Sequence, residues 1–195
     1  LIEHYLIAGA ISYLLGSVPC GYLIAKLKGV DIRKHGSGNI GATNVYRVLG
    51  KKEGILTLVL DVGKGALAVT VFTLIFPKDI HIDTISAISA VLGHDFSVFL
   101  LFKGGKGVAT SYGASLPIDP LSSLVGMFVW IAILLTTKYS SLAALLSFLI
   151  ATLIAVSSND YVVRIYFLAL YVLMIFKHRE NIKRLFNREE NRIKI

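Results

Sequence analysis

The sequence predicts an all-α fold: a polytopic integral membrane protein with seven transmembrane helices. Three observations lead there. Hydrophobic residues make up 55% of the 195-residue chain and charged residues only 16%, and mean hydropathy is +0.71. Runs such as "AISYLLGSVPCGYLIA", "SLVGMFVWIAILLTT" and "SLAALLSFLIATLIAV" are apolar on every side, and a soluble domain of this length could not bury so many such helices. Finally, the basic residues gather in a few segments, which sorts those segments between the two sides of a bilayer.

Hydropathy marks six clear spans, at 4–27, 54–76, 83–102, 121–137, 140–157 and 161–176. The first run continues without a small-residue cleavage site, so it is expected to be a span and not a removed leader. Segments 26–53 and 177–195 each hold seven Lys or Arg. Six spans would put those two segments on opposite sides, against the positive-inside rule. A seventh crossing over 107–118, "GVATSYGASLPI", repairs this. It is the fourth helix of seven, with the N-terminus outside and the C-terminus cytoplasmic. Seventeen of the 20 Lys and Arg then lie inside, Lys103, Lys106 and Lys138 among them. The outer connections 77–82, 117–120 and 158–160 are short and carry Asp79, Asp119 and Asp160. The fourth helix stops at "PIDP", where Pro117 and Pro120 break helices. Twelve residues reach only about 18 Å of the roughly 30 Å hydrocarbon core. Such a short helix is expected to border a cavity open to the cytoplasm. No internal repeat is visible, and residues 1–195 are expected to form a single membrane-embedded domain.

The lone cysteine, Cys20, rules out a disulfide framework. The net charge of +8 follows from the loop bias, so it does not call for nucleic acid. Asp61 and Lys64 lie three residues apart within a span. In lipid they should face the interior and pair, which suits a structural and a functional role equally. His94 and Asp95 fall in the third span. A packed, hydrogen-bonded role is the expected one for His94.

The chemistry collects in three polar segments. In "HGSGNIGATN", residues 35–44, Gly36, Gly38 and Gly41 match G-x-G-x-x-G. A dinucleotide site would need a strand before these glycines, and a membrane helix precedes them instead. The spacing still suits a nest of backbone N–H groups that binds an anion, with Ser37 and Asn39 adding side-chain donors. A helix is expected to start near Gly41, and its N-terminus favours phosphate. The second segment, "FKGGKGVAT" (102–110), sets Lys103 and Lys106 among Gly104, Gly105 and Gly107, without the spacing of a P-loop. In the third, "FKHRENIKRLF", His178 and Asn181 are i, i+3 and share a helix face. The H-x-x-x-x-D acyltransferase motif, the dense aspartates of CDP-alcohol phosphotransferases and the G-x-S-x-G elbow are all absent. Potential metal ligands are too scattered to argue a site, and no cofactor is expected.

"GSGNIGATNVYRVLG", "FKGGKGVAT" and "KHRENIKRL", with "GSVPCGYLIAK", "DVGKGA" and "GHDFSVFLLFKGGKG", resemble the acyl-phosphate:glycerol-3-phosphate acyltransferase (PlsY) family over essentially the whole chain. The resemblance implies transfer of a fatty acyl group from acyl phosphate to the 1-hydroxyl of sn-glycerol 3-phosphate, the first step of bacterial phospholipid synthesis. It implies functional roles for Ser37, Arg47, His178 and Asn181, and a structural role for Glu180. It assigns Gly104, Gly105 and Gly107 to the phosphate of glycerol 3-phosphate. Gly36, Gly38, Asn39, Gly41, Thr43, Asn44, Lys103 and Lys106 complete the expected substrate contacts, with Asp61 and Lys64 structural. The expected setting is the bacterial inner membrane, with membrane lipid around the protein, the active site facing the cytoplasm, and a soluble acyl-phosphate-making enzyme as partner. An acyl phosphate carries a good leaving group, so positioning and charge stabilisation suffice. The proton of the attacking hydroxyl has two candidate acceptors, His178 and the substrate's own phosphate.

Overall fold

The computed structural model describes residues 2–193, and the regular elements within them are all helical. In chain order they are α1 (Ile2–Ser17), α2 (Cys20–Leu27), α3 (Ala42–Leu49), α4 (Lys51–Ile75), α5 (Ile80–Asp95), α6 (Val108–Ser115), α7 (Pro120–Thr137), α8 (Ser140–Ala155), α9 (Tyr161–Lys177) and α10 (Arg179–Phe186). Short 3-10 turns occur at Ile32–Lys34 and Val98–Leu100.

Seven transmembrane helices are not what the structure contains. Among the described residues, three helical stretches are long and apolar enough to cross a bilayer: Ile2–Leu27, Lys51–Ile75 and Pro120–Thr137. A fourth is reached only if α9 and α10, bent by 62°, count as one span. Short helices are the cause. The stretch expected at 83–102 stops being helical at Asp95. The one expected at 107–118 is helical only over the eight residues of α6, about 12 Å long. The α8 helix is apolar but 16 residues long. A hydropathy window sums composition, whereas a crossing also needs enough helical length. The expected placement of the two termini rested on a seventh crossing over 107–118, and the eight-residue α6 is too short to make it, so that placement loses its support.

The aspartates that seemed to mark outer connections have a local role. Asp79 accepts from the backbone N–H of His81 and Ile82 at 3.1 and 3.2 Å, capping α5. Asp119 accepts from Ser122 N–H at 3.2 Å ahead of α7, with Pro120 in the first turn. Asp160 accepts from Val162 N–H at 2.8 Å ahead of α9. Each satisfies N–H groups that a helix start leaves open.

Two compact units make up the chain, one ending at Pro117 and the other beginning at Ile118. In the first, α1 packs on α5 and α4 packs on α6. Both contacts are reciprocal glycine contacts. A Cβ on Gly16 would overlap the Ala90 carbonyl, and one on Gly93 the Tyr13 carbonyl. Likewise Gly65 faces the Thr110 carbonyl and Gly113 the Val62 carbonyl. Without water to drive helices together, such close backbone approach is a main source of packing energy in lipid. In the second unit, α8 packs on α7 and on α9. Ala143, Ala144, Ser147, Phe148 and Ala151 of α8 are buried, and Phe148 stacks on Phe167 of α9 at 6.0 Å. Large apolar side chains such as Leu74, Phe128 and Val172 are exposed at 75%, 72% and 65%, as contact with lipid requires.

The glycine contacts make a paired prediction. Gly113→Ala should lower stability by about 1–3 kcal/mol, the usual cost of overpacking. Gly63→Ala on α4, where a Cβ meets nothing within 4 Å, should be neutral or stabilising by about 0.5–1 kcal/mol. Thermal midpoints of both variants in one detergent check this, and equal midpoints would contradict it.

Candidate active site

The first glycine-rich segment is shaped by one side chain. Asn44, in the first turn of α3, is 1% exposed. Its Oδ1 accepts from Ser37 N–H at 2.8 Å and lies 3.5 Å from Arg47 Nη1. Its Nδ2 faces the carbonyls of Asn39, His35 and Ile32 at 2.8, 3.0 and 3.4 Å. The amide is therefore committed to loop backbone on both edges. Gly36 and Gly38 adopt φ of 60° and 70°, the left-handed region that glycine tolerates. Asn39 Oδ1 accepts from Gly41 N–H at 3.3 Å, and α3 begins at the next residue, with Thr43 in its first turn. Ser37 is exposed and Arg47 half-buried. A second brace lies upstream, where Asp31 takes both Nε and Nη2 of Arg33 at 2.9 Å. Those bonds hold the Asp31 carboxyl down at about 2, so the brace stays ionic through the neutral range.

The second segment sits on the end of α5. Gly105 N–H donates to the His94 carbonyl at 2.9 Å. A side chain on Gly104 would overlap that carbonyl, and one on Gly105 would overlap the His94 ring. Gly107, at φ 66°, caps α6 and leaves no space for a Cβ beside the Asp95 carboxylate. Lys103 is exposed and Lys106 half-buried. Beneath the loop lies a buried ionic group. Lys64 Nζ is 2.9 Å from Asp61 Oδ1 and 2.8 Å from the Val18 carbonyl, and His94 Nδ1 is 3.6 Å from the same Asp61 oxygen. Leu100, three residues before Lys103, shares an apolar cluster with Ile32, Ile40 and Val45. Both glycine-rich segments are thus rooted in one patch of core.

The third segment belongs to the second unit. His178 stands at the bend between α9 and α10 and is 3% exposed. Its Nδ1 is 2.9 Å from the Met174 carbonyl. A carbonyl can only accept, so Nδ1 carries the hydrogen and the neutral ring presents Nε2 as its basic nitrogen. Asn181, 6% exposed, donates from Nδ2 to Glu190 Oε1 at 2.7 Å. Glu180, the acid within the motif, is exposed, with Arg179 at 3.9 Å. Glu190 has no place in the sequence motifs. Its only signal was an acidic pair, Glu189–Glu190, inside an otherwise basic tail.

The role of Asn44 is testable apart from any substrate. Asn44→Ala leaves Ser37 N–H and the Asn39, His35 and Ile32 carbonyls without this partner, an expected loss of about 1–3 kcal/mol. Limited proteolysis should then cut within residues 33–43, and a loop as protected as in the natural protein would refute the role.

Comparisons with known proteins identify the family. The family model described as glycerol-3-phosphate acyltransferase matches residues 6–188. A glycerol-3-phosphate acyltransferase of Pseudothermotoga lettingae is 47% identical over 190 residues, covering 97% of this chain and 94% of the relative. One from Aquifex aeolicus is 44% identical, covering 93% of this chain and 95% of the relative. Among solved structures, the glycerol 3-phosphate form of PlsY (YgiH), an integral membrane glycerol 3-phosphate acyltransferase, superposes with a TM-score of 0.92. It is 41% identical and covers 97% of this chain and 96% of that one. With the family model spanning nearly the whole sequence and the glycine-rich loops folded as described, this chain belongs to the glycerol-3-phosphate acyltransferase family.

Proposed function

We propose that residues 1–195 work as one acyltransferase. The enzyme transfers a fatty acyl group from acyl phosphate to the 1-hydroxyl of sn-glycerol 3-phosphate, giving 1-acylglycerol 3-phosphate (lysophosphatidic acid) and phosphate. The observation that carries this reading is the whole-length likeness to a solved enzyme of that activity in its glycerol 3-phosphate form. The protein acts at a membrane, as its apolar helices require. The finer setting is a bacterial inner membrane with the reacting groups on the cytoplasmic face, supported by the basic residues around both glycine-rich loops. A soluble enzyme that makes acyl phosphate is the natural supplier of so reactive a donor.

The hydroxyl oxygen attacks the acyl carbonyl carbon, an ester bond forms, and the bond from that carbon to the phosphate oxygen breaks. Both substrates bring phosphate. Lys103, Lys106 and the N–H groups of Gly104 and Gly107 serve the phosphate of glycerol 3-phosphate, with Gly105, whose N–H donates to the His94 carbonyl, shaping the loop around it. Gly36, Ser37, Gly38, Asn39, Gly41 and Thr43 serve the acyl phosphate, with Arg47 neutralising charge and Asn44 holding the loop in shape. Donors placed where charge develops lower the barrier without a covalent intermediate. His178 orients the hydroxyl and can take its proton on Nε2, while the donor's own phosphate oxygen is the other acceptor. Asn181 completes the polar set.

The test uses purified protein in lipid with labelled glycerol 3-phosphate and palmitoyl phosphate, palmitoyl-CoA or no donor. Label should enter lipid only with the acyl phosphate. Unmodified label accumulating inside vesicles would mark a transporter instead. Lys103→Ala and Lys106→Ala should each raise the KM for glycerol 3-phosphate by about tenfold or more, the value of one hydrogen bond to a charged group. His178→Ala should lower kcat by about 10²-fold or more, and near-normal turnover would remove it from the chemistry.

A further inference from the structure

The chain after α10 does not trail away. Arg188, at φ 63°, reverses its direction, and Glu189 N–H donates back to the Arg184 carbonyl at 2.8 Å. The returning strand reaches the turn between α7 and α8. There Ile193 N–H donates to the Lys138 carbonyl at 2.9 Å. Arg192 lies over the Tyr139 ring at 5.1 Å and donates to its hydroxyl at 3.0 Å. This strap delivers one carboxylate to the interior of the second unit. Glu190, with its side chain 8% exposed, takes Asn181 Nδ2 at 2.7 Å and Ser141 Oγ at 2.9 Å on Oε1, and Arg184 Nε at 2.8 Å on Oε2.

The chemistry of this contact is directional. A carboxylate only accepts, so it must meet the nitrogen edge of the Asn181 amide. That contact sets where the carbonyl edge of Asn181 points. Asn181 lies in the first turn of α10, and Ile182 N–H in that turn donates to the His178 carbonyl at 2.8 Å. Burial alone would raise the Glu190 carboxyl, but its bonds from Asn181, Arg184 and Ser141 outweigh burial and leave it below its ordinary value. A depressed carboxyl holds its partners above its ordinary range and releases them only as pH falls through the lowered value, so the contact is intact near neutral pH.

We propose that Glu190, carried on the strap 188–193, is a positioning residue for the transfer: it holds the Asn181 amide in its working orientation. Glu180, the acid of the sequence motif, does not do this, since its carboxylate is exposed. The proposal rests on reading Asn181 as serving the transfer, and the experiment separates the two.

Full-length protein in lipid vesicles is assayed with palmitoyl phosphate and labelled glycerol 3-phosphate. The variants are Asn181→Ala, Glu190→Ala, the double variant and Glu190→Gln. Glu190→Ala should lower kcat by about tenfold to a hundredfold, as loss of a hydrogen bond to a charged group does, with KM for glycerol 3-phosphate changed less than about twofold. In the Asn181→Ala background the same change should cost nothing further, because coupled residues are not additive. Glu190→Gln keeps an acceptor for Asn181 and Ser141, and it should recover most of the lost turnover. Equal losses in both backgrounds would mean a merely structural role and overturn the proposal. Normal turnover in Glu190→Ala beside an impaired Asn181→Ala would overturn the proposal alone. Normal turnover in Asn181→Ala would overturn the reading of Asn181 and the proposal together. Should Glu190→Ala fail to fold, Ser141→Ala touches the same oxygen more gently. It should lower kcat about threefold, less than losing the carboxylate because Ser141 reaches Asn181 only through it, and only while Asn181 is present. A loss that persists without Asn181 would again overturn the proposal.

Discussion

An ionised carboxylate inside a helix bundle must be answered by its neighbours, because no water can answer it. Asp61 imposes that requirement on the first unit. Lys64, one turn along α4, supplies the countercharge and spends another donor on the Val18 carbonyl, where α1 gives way to α2. His94, at the end of α5, meets the same carboxylate oxygen from the other side. Three helices are thereby held to one point. The His94 ring also forms the floor under Gly105, so the second glycine-rich loop takes its position from a charge buried beneath it. A pairing that sequence alone read as equally structural or functional is a foundation for the loop.

The same division of labour recurs. Of the side chains expected to meet substrate, Ser37 and Lys103 are exposed, while buried polar groups behind them hold the backbone. Asn44 does this for the first loop, the His94 carbonyl for the second, and Glu190 for the Asn181 side chain. Asn44 and Glu190 are hydrogen-bonded through both polar atoms of their side chains, as groups in a low-dielectric interior must be.

What could be read from the sequence divides along physical lines. Composition and all-round apolar runs were enough for an all-α membrane protein. The glycine spacing and the start of α3 at Ala42 were legible because both depend on local backbone chemistry. Helix length was not. The helix in the expected 83–102 span stops at Asp95, α6 keeps only eight residues of 107–118, and α8 has 16 residues, and so seven expected crossings become three, or four with the bent pair. Asp79, Asp119 and Asp160 were noticed for their charge, but their positions follow from capping. Glu190 could not be found from any motif, since its partners lie as far away as Ser141, and only a folded tail brings them together.

Asn44 has one more consequence. A glycine-rich stretch left to itself samples many conformations, and gripping a ligand would then require freezing them at the moment of binding. Here a single amide reaching Ser37, His35, Asn39 and Ile32 removes that freedom when the chain folds. The entropy of ordering the loop is settled when the chain folds, so a ligand that meets it does not have to supply that cost. Flexibility in the covalent chain and rigidity in the folded loop are therefore compatible, and one buried asparagine converts the first into the second.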